Sequence, residues 1–205
     1  MARLTPAERR ETIVDAALAV ARRKGLATTT VRDVAARMGT SSGLIHHYFD
    51  SMDDLLAEVF ERVAAQDLEQ SRAGMAATPD PTGALAIFIR TYTPIDRDWS
   101  FQLWLDAWAE AARRPRLQAT SQRLNLAWVA LLEDTIRSGL VTGQFTSPDP
   151  TGAAWRILSI LDGLALQVVA HPGVIARDDV ERWGAAAAEL ELGLRPGSLA
   201  GAGRA

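Results

Sequence analysis

The sequence predicts an all-α protein. Apolar residues recur at helical spacing along most of its 205 residues, and no stretch shows the sustained alternation or the β-branched clusters that are typical of strands. Signals for a helix start, in which a capping side chain precedes a proline, occur at Thr5-Pro6, Asp80-Pro81 and Asp149-Pro150. We therefore expect helices joined by turns.

The N-terminal part is predicted to hold three helices. Thr5-Pro6-Ala7-Glu8 offers an N-cap, a proline at the first helical position and a glutamate at the third, and the helix that follows ends before Gly25. Thr30 caps a short second helix, which ends at Gly39. A third helix is expected from about residue 41 to residue 48.

The chain is predicted to form two domains. Residues 1–50 make up the first, and a fourth helix, 51–75, which frays in the polar stretch from about residue 71, connects it to the second, 76–195. Apolar periodicity in the second domain predicts helices at roughly 99–113, 116–138, 150–171 and 177–193, after the segment that begins at Asp80. The Gly- and Ala-rich tail, 196–205, is expected to be disordered.

The amino-acid composition excludes several classes of protein to which this chain could belong. The chain has no cysteine and three histidines, so disulfides and thiolate metal sites are excluded and a structural metal or other cofactor is not expected. The N-terminus lacks the apolar stretch of a signal peptide, and no run approaches the ~18 to 20 apolar residues of a membrane span. We expect a soluble cytoplasmic protein with no membrane partner.

Charge is distributed unevenly along the chain, whose net charge is -3. Residues 1–47 carry eight basic and four acidic side chains, a net charge of +4, whereas the remainder carries a net charge of -7. A basic N-terminal segment followed by an acidic remainder is typical of a protein in which a module that binds phosphate is attached to a domain that does not contact nucleic acid.

Residues 30–49 have the spacing of a helix-turn-helix. Two helices that cross steeply need a small residue where they touch, a residue that tolerates positive φ in the turn, and a branched apolar residue on the second helix. Ala35, Gly39 and Ile45 supply these three residues. The second helix opens with Thr-Ser-Ser-Gly at residues 40–43, whose short side chains permit close approach to a phosphate and the major groove.

The same region resembles the TetR family of repressors. The resemblance covers residues 9–60 and includes Ile-Val-Asp-Ala-Ala from residue 13, Met38-Gly39-Thr40-Ser41 and Leu44-Ile45-His46-His47-Tyr48-Phe49. It implies a three-helix DNA-binding domain followed by a helical domain for ligand binding and dimerisation.

The resemblance also implies which side chains meet DNA. Phosphate contacts are expected from Thr30 and Tyr48, with a further N-terminal contact from Arg3. The residues expected on or near the groove-facing surface are Thr40, Ser41, Ser42, Gly43, His46 and His47.

Other roles for these side chains are open. Histidines 46 and 47 would be a metal pair only if they shared a ligand, but adjacent helical side chains point about 100° apart, which favours groove contacts. The hydroxyl of Tyr48 serves either a phosphate or solvent, whereas Phe49 is expected in the core.

One position departs from the family pattern. After Phe49-Asp50-Ser51 the family usually places a lysine that grips the DNA backbone, and this chain has Met52, followed by Asp53 and Asp54. We expect fewer phosphate contacts than in the family and a shallower salt dependence of DNA binding.

The C-terminal part resembles the effector domains of the BetI-like branch of the same family. The resemblance rests on the stretch from Trp104 to Leu117 and on Asp162-Gly163-Leu164-Ala165. It implies a helical dimer with an internal cavity for a small-molecule effector, without identifying the ligand.

Tryptophans suggest where that cavity lies. Trp104 and Trp108 share one helical face, and with Phe101 and Trp128 they would line an aromatic pocket, although tryptophans at this spacing are commonly core residues. A cationic group in the pocket would meet Asp162 or one of two further carboxylates, Asp106 and Glu110. An uncharged hydrophobic ligand is an equal alternative.

The last two long helices predict a dimer interface. Their apolar stripes are wider than one core contact requires, and the family resemblance implies that they pair across a two-fold axis. The expected interface residues are Ile157, Leu161, Leu164, Val168, Trp183 and Leu190. The alternative is that these helices only cover the core of the monomer.

Together these features predict a transcriptional regulator that is released from a palindromic operator by a small molecule. The alternative is an all-α dimeric ligand-binding protein with little specific affinity for DNA. An enzyme is not expected, because the chain has no nucleophile elbow, no glycine-rich phosphate loop and no carboxylate–histidine cluster.

Overall fold

The computed structural model describes residues 4–78, 80–95 and 98–201, and every regular element in these ranges is a helix. The all-α prediction is confirmed. The helices are α1 (Pro6–Lys24), α2 (Val31–Met38), α3 (Ser42–Tyr48), α4 (Met52–Ala76), α5 (Pro81–Arg90), α6 (Asp98–Ala111), α7 (Pro115–Val141), α8 (Pro150–Ala170), α9 (Arg177–Glu191) and α10 (Ser198–Gly201).

The helices begin where the capping signals predict. Thr5 and Glu8 form a reciprocal capping box at the start of α1, with Pro6 in the first turn. Asp80 and Asp149 each accept a backbone N–H from the third residue of the helix that follows, at 2.9 Å in both cases. These caps satisfy N–H groups that a helix start would otherwise leave unpaired.

The chain divides into two compact units, and neither is continuous in sequence. Unit 1 combines the described part of residues 1–65 with Gln102–Leu124, and unit 2 combines the described parts of 66–101 and 125–205. The first unit therefore contains α1, α2, α3 and the first part of α4, together with most of α6 and the start of α7. The sequence predicts domains that are continuous stretches, with boundaries at residues 50 and 76. Each compact unit instead combines two separate stretches of the chain.

Unit 1 has a core of large apolar side chains. Ile13, Leu26, Ile45, Phe60 and Leu117 are almost completely buried. Phe60 also meets the ring of Trp104 edge to face, at 4.7 Å between centroids. Burial of this kind fixes the short helices α2 and α3, which are too short to be stable alone.

Unit 2 contains the packed pair α8 and α9, which α5 and α10 also contact. Phe88, Leu132 and Leu161 are among its fully buried side chains. Gly184 allows close packing, because a Cβ at this position would lie 2.5 Å from Leu161 Cδ2.

Helix α4 is more regular at its C-terminal end than the sequence predicts. Fraying was expected from about residue 71, but the helix is regular to Ala76, and that expectation is wrong for residues 71–76. Ser71 and Met75 are both buried, so packing in unit 2 compensates for the weak helix propensity of this stretch.

Helix α8 contradicts the prediction that no apolar stretch approaches the length of a membrane span. By length and composition alone it is apolar enough to cross a membrane. Its side chains Ala154, Ile157, Leu158 and Leu161 are buried within unit 2, and 33% of its most apolar 18-residue stretch is buried.

The tail corrects the sequence prediction of disorder over residues 196–205. Residues 198–201 form α10, and Leu199 is 2% exposed. The buried carboxylate of Glu189 accepts the backbone N–H groups of Gly197 and Leu199, at 2.9 and 2.8 Å. Composition misses this contact because the partner lies on α9; residues 202–205 lie outside the described residues.

We expect Leu199→Ala to lower the free energy of unfolding by about 2 kcal/mol, because it removes a buried side chain from the contact between α10 and its neighbours. Urea unfolding followed by circular dichroism measures the change. Ala200→Ser is the matched control, since residue 200 is exposed. Equal stability of the two variants would contradict the buried role of Leu199.

Candidate nucleic-acid interface and effector site

The turn between α2 and α3 has the geometry that a helix-turn-helix requires. Gly39 adopts the left-handed conformation with φ 63°, and the N–H of Thr40 bonds to the carbonyl of Ala35 at 3.0 Å. Ala35 and Ile45 are buried at the helix contact. The small residue, the glycine and the branched residue thus occupy the positions predicted for them.

Helix α3 presents polar side chains outward. Ser41, Gly43, His46 and His47 are exposed. Thr40, Ser42 and Tyr48 are partly exposed, and Ile45 is the buried residue that anchors the helix. The Ser41 side chain makes no capping hydrogen bond, although it occupies the N-cap position. The predicted groove-facing residues therefore share one accessible region, and Arg3 lies outside the described residues.

Thr30 is engaged in the cap of α2. Its hydroxyl donates to Asp33 at 2.6 Å, and Lys24 donates to the same carboxylate at 2.7 Å. The hydrogen bond from Lys24, followed by that from Thr30, lowers the pKa of Asp33 to about 2. A phosphate contact from the Thr30 hydroxyl would have to replace this donation to Asp33.

Arg10 holds the C-terminal end of α3 and was not identified from the sequence. Its guanidinium donates to the carbonyl of Tyr48 at 2.6 Å, pairs with Glu58 and lies 4.0 Å from the ring centroid of Phe49. Phe49 is buried, as expected. The sequence signal for Arg10 would have been a basic residue one turn before the buried Ile13 and Val14.

The acidic residues at the start of α4 have structural partners. Asp53 accepts the backbone N–H groups of Arg116 and Leu117, at 2.9 and 3.1 Å, and thereby caps α7. Asp54 bonds to Ser51 and lies 3.2 Å from Arg116 Nε. Contacts within unit 1 thus partly neutralise the negative charge of both carboxylates.

An aromatic cluster in unit 2 contacts a partly buried carboxyl group through one of its rings. The Tyr92 hydroxyl donates to Asp162 at 3.0 Å. Burial raises the pKa of Asp162 to about 6, against the lowering effect of the Tyr92 hydrogen bond. The Tyr92 ring stacks on Phe101 at 5.3 Å, and Phe88 lies 5.9 Å from both Tyr92 and Trp128.

The structure divides the predicted pocket residues between the two units. Phe101, Trp128 and Asp162 are joined through Phe88 and Tyr92 in unit 2. Sequence reasoning missed Phe88, which lies on α5, and Tyr92, which lies in the turn that follows α5.

Trp104 and Trp108 belong to unit 1, where their rings lie 5.7 Å apart. The two other carboxylates considered for a cation have protein partners. Asp106 accepts the backbone N–H of Leu26 at 2.8 Å. Glu110 pairs with arginines 113 and 114, which lower its pKa. A bound cation would therefore have to compete with these partners for Asp106 or Glu110.

The predicted dimer residues differ in exposure. Ile157 and Leu161 are completely buried within unit 2, so both belong to its core, and we correct their assignment to the interface. Leu164 and Val168 are partly exposed. Trp183 and Leu190, on α9, are 42% and 85% exposed.

Comparisons with known proteins agree on one family. Residues 13–59 match the family described as bacterial regulatory proteins of the tetR family, and residues 81–193 match the BetI-type transcriptional repressor C-terminal domain. The transcriptional regulator BetI of Paraburkholderia xenovorans is 34% identical over 78% of this chain and 80% of its own length. The regulator CymR of Pseudomonas putida is 31% identical over 76% of both chains.

Among the solved structures that are similar in fold is one that holds choline. It is a transcriptional regulator from Saccharomonospora viridis in complex with choline, with a TM-score of 0.81 and 24% identity over 91% of this chain and 98% of its own. With the family matches and the helix-turn-helix geometry, the conclusion is that this chain belongs to the TetR family and is a DNA-binding transcriptional regulator with a BetI-type C-terminal domain.

Proposed function

We propose that this chain acts as a cytoplasmic homodimeric repressor, without catalytic activity, which binds a palindromic operator through α3 and is released by a small organic cation. The observation that carries the proposal is the exposed polar surface of α3 on a buried apolar anchor. A recognition helix needs this combination, because its outer side chains must reach base edges while its inner side fixes the helix.

The surface of α9 supports dimerisation. Trp183, Ala186 and Leu190 are exposed at positions i, i+3 and i+7 and therefore lie along one face of the helix. On α8, Ile160 is 38% exposed, and a Cβ on the nearby Gly163 would have no neighbouring atom within 4 Å. An apolar stripe beside a glycine suits close helix packing across a two-fold axis.

A two-fold dimer accounts for a palindromic site. It would present two copies of α3 to successive major grooves about 34 Å apart, so the two half-sites are expected to be inverted repeats at that spacing. The effector would favour a dimer conformation with a different separation of the two heads, with a coupling energy of about 1–3 kcal/mol.

The chemistry around Asp162 supports a cationic effector. Among the described residues, its hydrogen bond comes from Tyr92 alone, and no ion pair to a basic side chain is present there. A partly buried carboxylate that bonds to one ring of an aromatic cluster suits a quaternary ammonium or amine, because the rings attract the cation and the carboxylate neutralises it. Choline, found in the structurally similar regulator, is the first ligand to test.

Selection from random duplex DNA, followed by fluorescence anisotropy at two salt concentrations, tests the proposal. Enrichment of an inverted repeat that binds one dimer with salt-dependent affinity would support it. Feeble binding without sequence preference would favour the alternative, a dimeric ligand-binding protein that does not read DNA. Choline is then titrated into the DNA complex to test release.

We expect His47→Ala to weaken binding to the selected operator about 10-fold, with a smaller effect on unrelated DNA, because a groove-facing side chain contributes mainly to sequence readout. Anisotropy on both duplexes gives the ratio. Thr28→Ala is a matched control, since Thr28 is also exposed in unit 1 but lies outside α3. An equal loss on the two duplexes would show that His47 does not read bases.

A further inference from the structure

The turn between α6 and α7 is a basic surface of unit 1. With the first residues of α7 it carries Arg113, Arg114 and Arg116 within four residues. Glu110 pairs with the first two, at 2.6 and 3.0 Å. The side chain of Arg116 is 75% exposed and has one ion-pair partner among the described residues, Asp54. The turn thus displays positive charge beyond what its own glutamate neutralises.

Two carboxylates hold this turn beside the start of α4. Asp53 binds the backbone of Arg116 and Leu117, and Asp54 faces the Arg116 guanidinium. The start of α4 in turn lies close to the recognition helix, because α3 ends at Tyr48 and α4 begins four residues later. Arg116 is therefore placed near the C-terminal end of α3, where a helix-turn-helix approaches the DNA backbone.

The negative charge at the start of α4 must be compensated if DNA is to approach. Asp50, Asp53 and Asp54 put three carboxylates within five residues and would repel phosphates. The N–H groups of α7 offset Asp53, and Arg116 offsets Asp54. The Arg116 side chain is 75% exposed while it faces Asp54, so its guanidinium, which carries several N–H donors, is accessible to a second anion.

We propose that Arg116 binds a DNA phosphate and serves as an auxiliary backbone contact, contributed to the DNA-binding surface by the chain that follows α6. A guanidinium suits this role because its planar set of donors matches the oxygens of phosphate. The contact is independent of base sequence and takes the place of the positive charge that residue 52 lacks.

Salt dependence of DNA binding tests the proposal without a known operator. Anisotropy is measured with a labelled duplex of about three helical turns, long enough for two adjacent grooves. Arg116→Ala should lower the slope of log affinity against log salt by about 0.9 for each protomer bound. The control is Arg123→Ala, because Arg123 lies two turns further along α7, is 56% exposed and pairs with Glu61.

Removing Arg116 also uncovers Asp54, so a second pair of variants separates the two effects. Asp54→Asn and the double variant Asp54→Asn/Arg116→Ala are measured in the same way. A slope that is lower in the double variant than in Asp54→Asn supports a direct phosphate contact. Equal slopes for these two variants, or an Arg116→Ala slope equal to that of wild type, would overturn the proposal.

Discussion

Replacing Trp183 and Leu190 together by aspartate is expected to produce a monomer that binds the operator at least ~100-fold more weakly than the parent protein. Both side chains are exposed on one face of α9, where the proposed partner subunit would cover them. The substitutions would bury unpaired carboxylates at the interface, which opposes association. A monomer also loses the gain from binding two linked half-sites.

Sedimentation velocity and operator anisotropy together check this expectation. Val141→Asp and Val174→Asp are the controls, because these residues are 88% and 70% exposed but lie outside α8 and α9. A double variant that remains dimeric would show that another surface joins the subunits. A monomer with unchanged affinity would instead show that one recognition helix suffices for binding.

Replacing Asp162 by asparagine is expected to weaken choline binding by about 100-fold, because loss of one partner of a buried ion pair costs several kcal/mol. The substitution keeps the shape of the side chain and an oxygen that accepts from Tyr92. Tryptophan fluorescence and release of the DNA complex both report binding. Asp178→Asn is the control, since Asp178 is exposed at the start of α9.

The uncharged analogue 3,3-dimethylbutanol separates the contribution of choline's charge to binding from the contribution of its shape. It should bind wild type and Asp162→Asn with similar affinity, because it cannot pair with a carboxylate. Tighter binding of the analogue than of choline by wild type would contradict the proposed cationic effector and favour a hydrophobic one. DNA binding by the free protein should be unchanged in either case.

Asp162 also predicts a pH dependence of stability. Its pKa in the folded protein is about 6, above the ordinary value of 3.8, so the folded state binds this proton more tightly than the unfolded state. Its contribution to stability is therefore fully present below pH 3.8 and is lost as pH rises through about 6. Urea unfolding of wild type and Asp162→Asn across this window should reveal the difference.

The pKa of Asp162 also determines whether effector affinity rises or falls with pH. A cation binds the ionised carboxylate, so choline affinity in wild type should fall as pH decreases through about 6. The asparagine variant should lose this dependence. A pH-independent affinity in wild type would indicate that the bound cation does not face Asp162.

Sequence reasoning succeeded where a structure depends on neighbouring residues. Caps at Thr5, Asp80 and Asp149 involve partners three residues away and were predicted with the correct first residues of their helices. The turn at Gly39 was recognised for the same reason, since its left-handed backbone conformation is a local requirement. The helix-turn-helix is built almost entirely from such local features.

Features that depend on distant residues were not predicted. The role of Asp53 as a cap is invisible in sequence because its partners are more than 60 residues away. Apolar periodicity also gave no means of distinguishing the buried Ile157 from the exposed Ile160, since a wide stripe on α8 suits both a core and an interface. Likewise, Trp104 and Trp128 are similar in sequence context but belong to different compact units.

The hydrogen bond from Leu26 to Asp106 bears on how such regulators can be recombined. A chimera that joins residues 1–50 of this chain to the body of another regulator would leave that backbone N–H without its partner. A transplanted head would need to bring residues 102–124 with it. In this protein the exchangeable module is defined by contacts in space, and a single cut in the gene does not isolate it.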